Sequence, residues 1–294
     1  MKSGFVALIG RPNVGKSTLM NNLVGQKVAI ISKKPQTTRN NIQGIYNDDD
    51  SQIIFVDTPG IHKPKHKLGE FLNKQAYYSI HDVDVIVMLV DVSSSLGPGD
   101  KFIIETLKKV DKPVILLLNK IDKIKYEELL PMIENYRKLY NFAEIIPVSA
   151  LKSNNLEVLI TSLKKYLTDN IKYYPDNQVT NRSKEFLIAE IVREKVFKLT
   201  EEEIPHSVTC LVEQINKDKN KWVIRVIIVV DRDSLKKIII GKQGQKIKEI
   251  GTLARQEIET LLGKKVYLEL FVKTIKKWRE KEKYLAQFGF NEFK

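Results

Sequence analysis

Cysteine is all but absent from this sequence of 294 residues, where Cys210 stands alone. An internal disulfide is therefore excluded. With only four histidines there is also no Cys/His cluster for structural zinc, and a reducing, cytoplasmic setting is expected. Long hydrophobic runs are missing too. The first apolar stretch is the five residues Phe5 to Ile9, too short for the core of a secretion signal. The run Val223 to Val230 is strand-sized and carries Arg225, whereas a bilayer-spanning helix needs about 20 apolar residues. Neither a secretion signal nor a membrane span is expected. Glycine (14) and proline (10) are too sparse for a collagen-like or low-complexity chain, and 43% hydrophobic with 29% charged residues suits a chain that buries a core. At ~150 residues per domain, the length predicts two domains.

Acidic charge is in the minority, 36 residues against 49 basic ones, for a formal net charge of +13. The excess is uneven: residues 231–294 hold 16 basic and 9 acidic side chains, and no acid occurs between 234 and 248. Such a stretch favours a polyanion through release of phosphate counterions, against the plainer reading of lysines on a solvated face.

Up to residue 170, β-branched runs at 5–9, 52–56, 84–90, 113–118 and 144–148 alternate with amphipathic segments at 68–80, 100–110, 126–140 and 155–169. That alternation predicts an α/β domain with a mostly parallel sheet over residues 1–172. The proline- and polar-rich stretch 173–180 reads as a linker. Residues 181–294 follow another order, helix (183–198), strand (207–216), strand (221–230), short helix (233–240), helix (245–262), strand (265–273), which is α+β.

Gly10-Arg11-Pro12-Asn13-Val14-Gly15-Lys16-Ser17 matches GxxxxGK[ST] between a predicted strand and a helix-compatible run, the context a phosphate-binding loop requires. Its glycines let backbone N–H groups point at phosphate oxygens, Lys16 reaches the outer phosphates, and the Ser17 hydroxyl can ligate Mg²⁺. Asn13, Val14 and Thr18 complete this nucleotide-binding segment. Asp57-Thr58-Pro59-Gly60 places a carboxylate at a strand end for Mg²⁺, and the Gly60 N–H can sense a γ-phosphate. Asn119-Lys120-Ile121-Asp122 follows the next apolar run but one. The Asp122 carboxylate can accept paired hydrogen bonds from guanine N1–H and its 2-amino group, which adenine lacks, so GTP and GDP are the expected ligands. Ser149-Ala150-Leu151 falls where a loop could close over the base and offer the Ala150 N–H to the guanine oxygen.

Four strand-end motifs in this order resemble those of the translation-factor-like P-loop GTPases. The resemblance implies that a threonine between Ile31 and Ile42 completes Mg²⁺ coordination. Gln36-Thr37-Thr38-Arg39 offers two candidates, and Thr38 is chosen because the family pattern places the ligand just before an arginine. Lys16, Thr38 and Gly60 are then the catalytic set, and residues 32–42 and 61–68 the switches. Ras-type GTPases orient water with a glutamine after the DxxG glycine; here that residue is Ile61, so slow intrinsic hydrolysis is expected. Arg11 and Arg39 are the candidate arginine fingers.

In the second domain, Gly241-Lys242-Gln243-Gly244 joins two predicted helices. With the α-β-β-α-α-β order it resembles a type II KH domain, whose GxxG loop approaches phosphates beside a groove for splayed bases. Lys237, Ile240, Gly241, Lys242, Gln243, Gly244, Lys246 and Lys248 are the expected RNA contacts, joined by Lys276, Lys277 and Arg279 beyond the last strand. Ile239, Ile240, Ile247 and Ile250 fit either groove or core, and Trp278 fits either base stacking or a pinned terminal helix.

A P-loop GTPase domain followed by a type II KH domain resembles the Era family over essentially the whole chain. The resemblance implies a monomeric, GTP-dependent RNA-binding GTPase that engages 16S rRNA near its 3′ end and assists maturation of the small (30S) ribosomal subunit, with peripheral membrane association. The competing reading is a non-catalytic RNA adaptor for which nucleotide is a structural ligand.

Overall fold

A computed structural model describes residues 1–32, 34, 37–60, 67–201, 204–218 and 221–290. Two compact units are present. The first takes in Met1–Ala29, Pro35–Pro64 and Leu72–Asn181; the second takes in Ile30–Lys34, Lys65–Phe71 and Arg182–Lys294.

The first unit is built on β1 (Lys2–Gly10), α1 (Lys16–Val24), β2 (Ile42–Asn47), β3 (Ser51–Asp57), α2 (Lys67–His81, of which the part from Leu72 on belongs to this unit), β4 (Val85–Asp91), α3 (Pro98–Leu107), β5 (Val114–Asn119), α4 (Leu129–Arg137), β6 (Glu144–Val148) and α5 (Leu156–Tyr166). The sheet order is β2-β3-β1-β4-β5-β6. β2 runs antiparallel to β3, and the other neighbours are parallel. β3, β4 and β5 are buried nearly end to end, the pattern of strands covered on both faces, which is why their sequences are continuous apolar runs. Pro147, which has no N–H to give, sits in the edge strand β6. β1 lies between β3 and β4, so chain connections diverge from its carboxyl end, the switch point where open α/β sheets take ligands.

Three expectations need correcting here. β2 lies in a stretch that had no predicted element. The segment 126–140 is a 3₁₀ turn (Tyr126–Glu128) followed by a shorter helix ending at Arg137. The presumed linker 173–180 is held along β2 and β3: Ile45 N–H donates to the Val179 carbonyl (3.0 Å), and Gln52 exchanges hydrogen bonds with the Tyr174 backbone at 2.8 and 2.9 Å.

The second unit contains α6 (Lys184–Leu199), a short α7 (Ile204–Ser207), β7 (Thr209–Lys217), β8 (Trp222–Val230), α8 (Asp233–Ile240), α9 (Gln245–Leu262), β9 (Val266–Thr274) and α10 (Glu282–Gln287). Ser183 caps α6, its hydroxyl accepting from the Phe186 N–H at 3.2 Å. The sheet order is β7-β8-β9, antiparallel then parallel. Alternate residues of β8, Ile224, Val226 and Ile228, are fully buried against Ile188, Val192, Ile239, Ile250 and Ile258 of the helices. Cys210 lies in this core, 6% exposed. No helix among the described residues is long and apolar enough to cross a membrane.

Candidate nucleotide site and nucleic-acid interface

Residues 10–17 leave β1 at the switch point and turn into α1. Gly15 takes φ +107°, and a Cβ there would lie 2.3 Å from the Asn119 amide nitrogen, so both backbone sign and space demand glycine. Asn119, at the end of β5, donates to the Val14 carbonyl (2.7 Å) and accepts from the Ala150 N–H (2.9 Å), bracing two of the predicted motifs against each other. Lys120 donates to the Asn13 carbonyl at 2.8 Å and pairs with Asp91 at 2.5 Å. Asp122 is exposed, and one carboxylate oxygen accepts from the Ser149 hydroxyl at 2.5 Å. Leu151 is exposed, and Thr18 is half-buried in α1. The Ala150 N–H, expected to face a guanine oxygen, is given to Asn119 instead.

Ser17, Thr38 and Asp57 converge although 40 residues separate the first from the last: Ser17 Oγ donates to Asp57 Oδ2 (2.6 Å), lies 3.1 Å from Thr38 Oγ1, and Thr38 Oγ1 donates to the same carboxylate oxygen at 3.3 Å. The other oxygen, Asp57 Oδ1, is buried with no hydrogen-bond partner. Three hard oxygen donors and a buried, unmatched carboxylate oxygen are a donor set that suits Mg²⁺. Gly60 sits against Pro12 of the loop. Lys16 is 6% exposed and folds back on its own loop, donating to the Gly10 and Arg11 carbonyls at 3.1 Å each.

Burial pulls the Lys16 ammonium below its ordinary pKa, with Asp57 opposing, and pushes Asp57 above the carboxylate range, with Lys16, then Ser17 and Thr38, opposing. A carboxyl whose pKa is raised on folding binds more protons native than unfolded, so the nucleotide-free fold loses stability as pH rises through that raised pKa. Asp57→Asn removes the buried charge. Without nucleotide it is expected to flatten the fall of Tm with rising pH. Calorimetric scans between pH 4 and 8 check this; a pH dependence equal to that of wild type contradicts it.

Neither candidate arginine finger is available. Arg11 is held by the buried Asp100 at the start of α3 (2.9 Å) and donates to Ser94 Oγ (2.9 Å), and Arg39 is 2% exposed. Gln36 and Ile61, with the switch stretch 61–66, lie outside the described residues. Asp91 and Asp100 were not singled out in the sequence. Asp91 had a usable signal, since like Asp57 it is a carboxylate at the carboxyl end of a buried apolar strand.

In the second unit, α8 ends at Gly241 (φ +73°), where a Cβ would meet Lys246 Cβ at 2.7 Å. Lys242–Gly244 make one 3₁₀ turn and Gly244 caps α9, with open space around its α-carbon. Lys237, Lys242, Gln243 and Lys248 are exposed, and Ile240 and Lys246 half-buried, so lysines flank the loop and the start of α9 in the chain. Ile239 and Ile250 belong to the core, which leaves Ile240 and Ile247, half-buried, for a groove. Lys276 and Lys277 are exposed, while Arg279 is paired with Asp231 at 2.6 Å. Trp278 does not stack outward. It is fully buried, its indole N–H donates to the Ser207 carbonyl (3.0 Å), and it packs edge-on to Phe288.

A GxxxxGKS loop at the switch point of a parallel sheet, with Asp57, Asn119 and Ser149 at or just past neighbouring strand ends, defines a P-loop GTPase, here joined to a KH module. The family model described as a 50S ribosome-binding GTPase matches residues 5–120, and that of the KH domain matches residues 203–279. The chain is 51% identical over 292 residues to the GTPase Era of Staphylococcus haemolyticus (strain JCSC1435), covering 99% of this chain and 98% of the relative. Two solved structures superpose with TM-scores of 0.96 at 45% identity, covering 99% of this chain and 100% of theirs: a point variant of Aquifex aeolicus Era bound to GDP and AlF4⁻, and Era in complex with MgGDPNP and nucleotides 1506–1542 of 16S ribosomal RNA. The chain belongs to the Era family of GTPases.

Proposed function

We propose that this chain is a Mg²⁺-dependent, GTP-hydrolysing switch in small ribosomal subunit assembly that binds 16S rRNA near its 3′ end through the GxxG side of its second unit. It acts in the cytoplasm, with membrane contact limited to the periphery. The observation that carries the reading is the convergence of Ser17, Thr38 and Asp57 on one buried spot beside Lys16, in a chain that also presents a GxxG loop flanked by lysines. The relative solved with MgGDPNP and rRNA together supports joining the two halves.

Nucleotide belongs to residues 1–172 and RNA to 181–294 in this reading. The N–H groups of residues 13–18 cradle the phosphates, and Lys16 exchanges its two loop carbonyls for phosphate oxygens. Asp122 reads guanine, while Asn119 and Lys120 hold the loop to the base-side strands. Ser17, Thr38 and Asp57 would hold Mg²⁺, which neutralises charge on the β- and γ-phosphates. The Gly60 N–H follows the γ-phosphate in this reading, which the packing of Gly60 on Pro12 of the loop supports. With Arg11 pinned and Arg39 buried, fast hydrolysis depends on a group from the partner, and such a group is worth about 10³- to 10⁵-fold.

Single-turnover GTP hydrolysis with and without small ribosomal subunits tests this function. Slow turnover alone and a rise of at least about 10³-fold with subunits are expected. No turnover in either condition would instead establish the non-catalytic adaptor.

A further inference from the structure

The core helices of the second unit pack on the face of the three-stranded sheet that carries Ile224, Val226 and Ile228. On its other face, register sets Tyr267 beside Val223, Glu269 beside Arg225 and Phe271 beside Ile227. Tyr267 and Phe271 are both 50% exposed, an unusual placement for two large rings on one edge strand. Each ring carries a cation. Lys221 Nζ stands 4.6 Å from the Tyr267 centroid, and the Arg225 guanidinium 5.3 Å from that of Phe271. The acids of these strands, Glu213 and Glu269, both face Arg225, at 3.8 and 3.0 Å, which orients its guanidinium. Lys273 is exposed near the end of β9, and with Lys221 and Arg225 against the two acids it leaves the face net positive.

We propose that this face is a second RNA contact, a stacking platform for unpaired bases, separate from the GxxG loop on the helical side of the same sheet. The inference rests on the reading that the chain binds RNA. Charge selects the occupant: exposed rings alternating with cations match a strand that alternates bases with phosphates, whereas a protein-docking core is depleted of charge. Geometry selects unpaired RNA, because a ring can stack only on a base whose face is free. Tyr267 and Phe271 are four residues apart on one strand, about 13 Å at ~3.3 Å per residue, so they suit bases splayed apart and not stacked neighbours. An RNA long enough to leave the GxxG groove and cross to the other face would engage both.

The test uses the full chain and polypyrimidine RNA of two lengths, about 10 nucleotides, enough for one site, and about 30, enough for both. Y267S/F271S is expected to weaken the longer RNA at least about tenfold, as stacking on both rings is lost, while leaving the shorter RNA and GTP affinity unchanged. K221Q/K273Q should reduce the slope of log affinity against log salt by about 1.4 for the longer RNA alone, a reading that survives if the ring variant folds poorly. Gly244→Asp should weaken both lengths. If Gly244→Asp acts but the longer RNA binds both sheet variants as it binds wild type, the platform is wrong and the RNA reading stands. If neither length binds wild type, the RNA reading itself fails. Loss of a ribosomal protein's contact in Y267S/F271S, with RNA affinity intact, also overturns the proposal.

Discussion

Gly241→Asp combined with Gly244→Asp is expected to lower affinity for single-stranded RNA at least about 100-fold, the loss of two charge-assisted phosphate contacts at ~1.5–3 kcal/mol each, with GTP affinity unchanged. Gly241 approaches Lys246 too closely for a side chain, and Gly244 is the cap of α9 with open space beside it, the place where a phosphate could come near the helix N–H groups. A carboxylate there competes with phosphate for those groups and repels the rest of the strand. Because Gly241 also has a left-handed φ, the double variant risks distorting the turn; Gly244→Asp alone meets no neighbour and aspartate tolerates that conformation better than most residues. Filter binding and GDP calorimetry on both variants separate the cases. Wild-type RNA affinity in Gly244→Asp would remove the loop from the RNA site.

Asp122→Asn is expected to lower GTP affinity by about 10- to 100-fold, as one hydrogen bond to a charged acceptor is lost and the other becomes a neutral one, and to raise affinity for xanthosine triphosphate. Guanine presents two donors to this side chain. A carboxylate meets both, whereas a carboxamide offers one acceptor and one donor, the complement of xanthine N1–H and its 2-oxo group. One Asp122 oxygen is already oriented by the Ser149 hydroxyl, so the carboxylate is positioned before any base arrives. Displacement of a fluorescent nucleotide by GTP and by xanthosine triphosphate measures the exchange of preference. An unchanged ratio would mean that another group reads the base.

Much of the fold was legible because buried parallel strands announce themselves. Val85–Asp91 and Val114–Asn119 are runs that only a doubly covered sheet accommodates, and each of the Asp57, Asn119 and Ser149 motifs stands at or just past a strand's carboxyl end. β2 escaped because Gly44, packed so closely on Met20 that a Cβ would lie 2.7 Å from it, interrupts an already short alternation. Residues 173–180 read as a linker because their attachment runs through backbone and amide groups, such as Val179 to Ile45, which leave no apolar trace in the sequence. Trp278 was ambiguous for a different reason: an indole beside lysines looks the same whether it stacks outward or finds, 71 residues upstream, the carbonyl of Ser207. The pairing of Arg11 with Asp100 likewise spans elements distant in sequence and turned a candidate finger into a strut of the phosphate loop.

Cys210 has a practical consequence. It is the only thiol in the chain, and it sits in the interior shared by β7, β8 and the helices of the second unit. An alkylating reagent can reach it only when that interior opens, so the rate of modification is a clock for breathing of the RNA-binding half alone. Run with and without guanine nucleotide, that clock reports, on the native chain and with no added label, whether occupancy of one half is felt as rigidity in the other.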